Sequence, residues 1–171
     1  MTGIQSTDLP DIALSKPYQE KGGYTDCFYI DVPRNVTFEQ YIEAFYTTRL
    51  FKAERHLLSW FARRPSTDEE ARELAVATRD QFAAWSVEGR AANQILMCDY
   101  MSKTRSWLMT EDLSNDTETK TRLYFGSVVV PSGSSGKEAS FGFFFHALSG
   151  FHLVYSKALL KSAYRSLAAG D

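Results

Sequence analysis

His152 and Tyr155 stand three residues apart in an apolar run near the C-terminus, a spacing that puts both on one face of a helix. Pointing into a cavity, the imidazole could act as a general base or donor with the phenol as its partner. The ordinary alternative is a pair satisfied by neighbouring backbone groups. Asp99 and Arg105 flank Ser102-Lys103, the expected reversal between two strand-like segments, so a cross-strand or diagonal ion pair is within reach. On a concave sheet face that pair could orient a ligand's carboxylate or carbonyl, because arginine offers a planar fork of donors; ion pairs of this kind are also common as plain structure. Trp107 shares a strand face with Arg105 and could stack on a ligand or fill the core. His152, Tyr155 and Asp99 are thus the candidate catalytic groups, and Arg105, Trp107, Trp85, Phe125 and Leu148 the candidate ligand contacts.

Other chemistries find little footing. Glu54-Arg55-His56 are consecutive on a helix and point in different directions, so they form no compact triad. His56, His146 and His152 lack HExxH spacing or a nearby acid cluster, and no metal or cofactor is expected. Cys98 has no recognised nucleophile context and reads as a buried thiol. Ser132-Gly133-Ser134-Ser135-Gly136-Lys137 lacks the first glycine and the terminal Ser/Thr of a phosphate-binding loop. The net charge of −2 comes from 19 basic and 21 acidic residues spread along the chain, which leaves no electrostatic footprint for nucleic acid. Cys27 and Cys98 are too few and too far apart for a disulfide framework, and with no basic, apolar leader at the N-terminus a cytoplasmic setting is expected. The run Phe141 to Tyr155 is interrupted by Gly142, His146, Ser149, Gly150 and His152, so no membrane span is expected there.

The elements that must position these residues follow from periodicity. Residues 1–23 carry Pro10, Pro17, Gly22 and Gly23 without sustained repeat and read as an irregular arm. YTDCFYIDV, residues 24–32, alternates as a strand, with Thr25, Cys27 and Tyr29 on one side and Asp26, Phe28 and Ile30 on the other. Thr37 and Gln40 form a capping box that starts a helix at Phe38; a second helix is expected over Leu50 to Ala62, and a third after the cap at Ser66-Thr67, running to Ala77 or beyond. FAAWSVEGR, NQILMCDYM, TRSWLMTED and TRLYFGSVVVP then read as an antiparallel meander, with a flexible linker at Pro131 to Gly136. The final segment has one face of Phe145, Leu148, His152, Tyr155 and Leu159 and an adjoining face of Phe144, Phe151, Val154 and Ala158, a wide apolar helical surface whose natural partner is the sheet.

Strand, paired helices, meander and long last helix make an α+β domain over residues 24–168 that resembles the START-like, helix-grip (SRPBCC-type) superfamily. In wording, FEQYIEAFYTT, TRSWLM, TRLYFGSVVV and GFHLVYSKALL resemble an uncharacterised bacterial family of short START-like proteins. The resemblance implies a curved antiparallel sheet gripping the C-terminal helix around an apolar cavity, without naming a reaction. Four strands between the paired and last helices are fewer than that superfamily usually has, which implies a reduced sheet or a further strand at Ala139 to Phe145.

The expected function is binding of a small hydrophobic or aromatic molecule between sheet and C-terminal helix. An enzyme in the same cavity, a cyclase, isomerase or hydrolase, is the first alternative. An interaction module using the Phe-rich segment 141–151 on a protein or membrane, compatible with a homodimer, is the second.

Overall fold

The computed structural model describes residues 3–53, 66–130 and 138–169, with side chains of the last stretch from Leu153 onward. Seven strands form one antiparallel sheet in the order β1-β2-β7-β6-β5-β4-β3. They are β1 (Gln5–Ser6), β2 (Tyr24–Val32), β3 (Gln81–Phe82), β4 (Trp85–Ala91), β5 (Gln94–Asp99), β6 (Thr104–Asp112) and β7 (Thr121–Val129). The helices whose bounds lie within the described residues are α1 (Lys16–Glu20), α2 (Phe38–Thr47), α3 (Asp68–Ala75) and α4 (Glu138–Ala169). The molecule is therefore α+β: an antiparallel sheet against a long C-terminal helix and preceding helices.

Local signals act where the sequence places them. The Thr37 hydroxyl accepts from Gln40 N–H, and the Gln40 side chain accepts from Thr37 N–H, so α2 opens on a complete capping box. Thr67 and Glu70 repeat that arrangement at α3, which stops at Ala75 and is followed by Ala77 in the left-handed region at φ 60°. The chain is helical again over residues 49–53; the rest of the second expected helix, the Glu54-Arg55-His56 run and the Pro131 to Gly136 linker lie outside the described residues. No strand forms at Ala139 to Phe145, where the backbone is already helical; the uncharged run goes to the first half of α4.

Both faces of the sheet are buried. On one, Phe28, Ile30, Val32, Ile95, Met97, Leu108, Leu123 and Phe125 join side chains of α2, α3 and α4 in the main core. On the other, Cys27, Leu96, Trp107, Met109 and Tyr124 pack against Leu9, Ala13, Leu14 and Tyr18 of the N-terminal arm. The arm is thus more ordered than its composition suggests: β1 pairs with Tyr29 and Phe28, Thr7 N–H donates to Cys27 C=O at 3.0 Å, and α1 crosses the sheet before Gly22, at φ 82°, turns the chain into β2.

Gln94 fastens the arm. Its buried Oε1 accepts from Leu14 N–H at 2.9 Å and from Trp107 Nε1 at 2.9 Å, while its Nε2 donates to Ile12 C=O at 3.0 Å. Gly126 lies beneath the Trp107 ring, and a Cβ there would sit 2.8 Å from Asp26 O and 3.1 Å from Trp107 Cε3. Gln94→Leu, which leaves two donors and one acceptor without partners, is expected to cost about 3 kcal/mol in urea unfolding. Gly126→Ala is expected to cost a comparable amount by forcing Trp107 or the β2 backbone to move.

Candidate functional site

Register decides which face each candidate occupies, because alternate residues of a strand point to opposite sides. Asp26, Ser127, Ser106, Met97 and Val87 form one row across β2, β7, β6, β5 and β4 on the helix side. The neighbouring row toward the Ser102-Lys103 reversal holds Tyr24, Val129, Thr104, Asp99 and Trp85. A register shift between Val87 and Gly89 then breaks the alternation on β4. Glu88 turns to the arm, Gly89 also faces the arm with its missing Cβ 3.5 Å from Leu14 Cδ1, and Arg90 returns to the helix side opposite Ile95.

The layer between sheet and helices is apolar, yet polar atoms are set into it. Trp85 Nε1, Arg90 Nη2, Ser127 Oγ and Ser156 Oγ are buried and have no hydrogen-bond partner among the described residues. Ser127 is 3 % exposed and Ser156 1 %; the latter begins the buried stripe of α4 that continues through Leu159, Leu160, Ala163 and Leu167. Asp26 Oδ1 accepts from Ser127 N–H at 2.9 Å, so the row carries a carboxylate as well as hydroxyls. Elsewhere in this layer Tyr41 donates to Tyr124 C=O at 2.9 Å, and Phe45 stacks on Phe125 at 5.0 Å. Buried polar groups are nearly always bonded, so each that is not marks a place where a water or a ligand can complete it.

The expected constellation does not assemble as the sequence suggests. Asp99 and Arg105 form no pair: Asp99 is on the helix side and Arg105, paired across the strands with Cys98, is on the arm side. The Asp99 carboxylate instead accepts from Met101 N–H (2.8 Å), Lys103 N–H (3.1 Å), Thr104 N–H (2.8 Å) and the Thr104 hydroxyl (2.5 Å). That holds the reversal, including Ser102 at φ 57°, and leaves the carboxylate engaged in structure. Arg105 is bound by Glu88, at 2.9 Å from Nη2 to Oε2, with its guanidinium 4.8 Å from the Tyr18 ring centre. Trp107 is fully buried under the arm with its indole N–H on Gln94, so neither it nor Arg105 can line the sheet-helix layer.

Trp85 and Phe125 do face the helices, Trp85 half-buried beside the main core and Phe125 within it. Tyr155 is half-buried against the same core, whereas Val154, expected on the apolar surface, is 69 % exposed. The side chains of His152, His146, Leu148 and the segment 141–151 lie outside the described residues. Sequence reasoning passed over Arg90, Ser127 and Ser156. Arg90 changes side only because of the bulge, and a serine in an apolar run carries no sign that its hydroxyl will lack a partner.

On the arm face the charges are mutually neutralised. Tyr18 donates to Glu88, and although burial alone would raise the Glu88 carboxyl, the bonds from Arg105 and Tyr18 hold it below the ordinary range. At the sheet end Arg122 binds Asp31 through two bonds, Nε at 2.7 Å and Nη2 at 3.0 Å, and the bond from Arg122 keeps the Asp31 carboxyl low despite burial. Burial pushes the Cys27 thiol up to about 12 and raises that of Cys98, so both are inert at neutral pH. No metal-holding group of three or more His, Cys, Asp or Glu exists among the described residues, and no helix there is long and apolar enough to cross a membrane.

Comparison with protein-family models, with curated proteins and with solved structures gives no match.

Asp31 and Glu88 both have lowered folded-state values, so their stabilisation is complete above the unfolded carboxyl value, about 4, and is lost as pH falls through the folded one. Thermal melts from pH 7 to pH 2.5 are expected to show Asp31→Asn less stable than wild type at pH 7, with the gap closing in acid.

Proposed function

We propose that this protein binds a small apolar or aromatic molecule in the layer between the helix side of the sheet and the C-terminal helix. The observation that carries this reading is that Ser127 Oγ and Ser156 Oγ, and Trp85 Nε1 three strands farther along the sheet, are buried without hydrogen-bond partners among the described residues in an otherwise apolar layer. Ligand pockets are lined in this way, mostly by hydrophobic and aromatic side chains with a few polar groups that fix orientation. The resemblance to START-like proteins implies a cavity in the same layer. Binding is favoured over catalysis because Asp99 is engaged by the reversal it holds and Arg105 faces the arm. The two free thiols, Cys27 and Cys98, support a cytoplasmic setting.

Native mass spectrometry of the purified protein is expected to show a reproducible small-molecule adduct released on denaturation. Trp85→Phe, which keeps the ring and removes the donor, is expected to weaken retention about tenfold if the indole N–H bonds the ligand. A ligand-free protein whose melting temperature ignores decanol, indole and naphthalene would defeat the reading.

A further inference from the structure

We propose that the molecule bound in this layer carries an oxyanion, most simply a carboxylate, received by Arg90 with Trp85 as a second donor; this rests on the binding reading above. Both residues belong to β4 and both face the helices, Trp85 opposite Asp99 and Arg90 opposite the fully buried Ile95. Each buries an N–H-bearing nitrogen, Trp85 Nε1 and Arg90 Nη2, that meets no acceptor among the described residues. These two atoms can only donate. A partner for them must therefore bring acceptor oxygens, and a partner for the guanidinium is best charged, since planar bidentate recognition of carboxylate is what arginine does most strongly.

Charge accounting on the sheet leads the same way. The other arginines of the sheet are neutralised in place: Arg105 by Glu88 at 2.9 Å and Arg122 by Asp31 at 2.7 Å, both on the arm face. Arg90 has no ion pair among the described residues: plain alternation would put it on the arm face with Glu88, but the bulge moves it to the helix side, while Glu88 stays on the arm face bound to Arg105 and Tyr18. The bulge thus separates Arg90 from Glu88 and leaves the helix side with a cation that has no counter-ion among the described residues. A cation with one nitrogen fully buried and no counter-ion is costly, and an incoming carboxylate removes that cost. Val87 between Trp85 and Arg90, and the main core beside them, supply an apolar wall, so the ligand class is an organic acid with a hydrophobic body.

The test compares acids with their neutral counterparts at equal ionic strength: decanoate against decanol and phenylacetate against phenylethanol, by thermal shift and calorimetry on the wild type, Arg90→Met and Arg90→Lys. Acids are expected to bind at least tenfold more tightly than the alcohols to the wild type. Arg90→Met should abolish that preference while still binding the alcohols, and Arg90→Lys should retain part of it. Without ligand, Arg90→Met is expected to melt no lower than wild type, because it removes an unpaired buried cation. Equal affinity for acids and alcohols, or an acid preference unchanged in Arg90→Met, overturns the oxyanion while leaving the binding reading intact. Binding of neither class overturns both. A ligand-free Arg90→Met that is clearly destabilised makes Arg90 a structural residue and overturns the proposal.

Discussion

The amide of Gln94 is the joint on which the two-sided sheet depends. Strands β5, β6 and β7 carry apolar side chains on both faces, so the helices can cover only half of what must be buried. The second cover is the N-terminal arm, which has little regular structure of its own and whose backbone groups need partners wherever they leave water. Gln94 supplies two of those bonds from one buried side chain, and its carbonyl oxygen also satisfies the indole of Trp107, the largest side chain on that face. Gly126 makes the ring's position possible by leaving room beneath it. Arm, tryptophan and sheet are consequently one packing unit, although they come from stretches about 80 residues apart.

The β4 bulge is the second constraint, and it partitions charge. A regular strand would put Glu88 and Arg90 together on the arm face and Gly89 on the helix side; the extra residue leaves Glu88 on the arm, brings Gly89 there too and sends Arg90 to the helices. On the arm face the result is a closed network of Tyr18, Glu88 and Arg105, with Gly89 giving Leu14 space. On the helix side the result is a donor without an acceptor among the described residues, on the same strand as the Trp85 indole in the same condition. The asymmetry between faces is chemical as well as geometric: one pairs its charges, the other is apolar with donors and hydroxyls that have no partner among the described residues.

Much of this was legible in the residues themselves, wherever a few neighbouring positions suffice. The capping box at Thr37, the cap at Ser66-Thr67, the alternation of Tyr24 to Val32, the meander segments and the long last helix depend on contacts within about four residues or on a repeat of two or 3.6, so the sequence alone determined them. It also assigned the two sides of β2 correctly, since no bulge intervenes there. Tertiary structure alone decided that the arm is a cover, that Asp99 holds a turn while Arg105 pairs with Glu88, that Trp107 belongs to the arm face, and that Arg90, Ser127 and Ser156 stand partnerless among apolar groups. The physical reason is that side and satisfaction are pairwise, long-range properties. One inserted residue reverses the facing of everything after it in a strand, and whether a buried polar atom finds a partner depends on strands and helices brought beside it from distant parts of the chain.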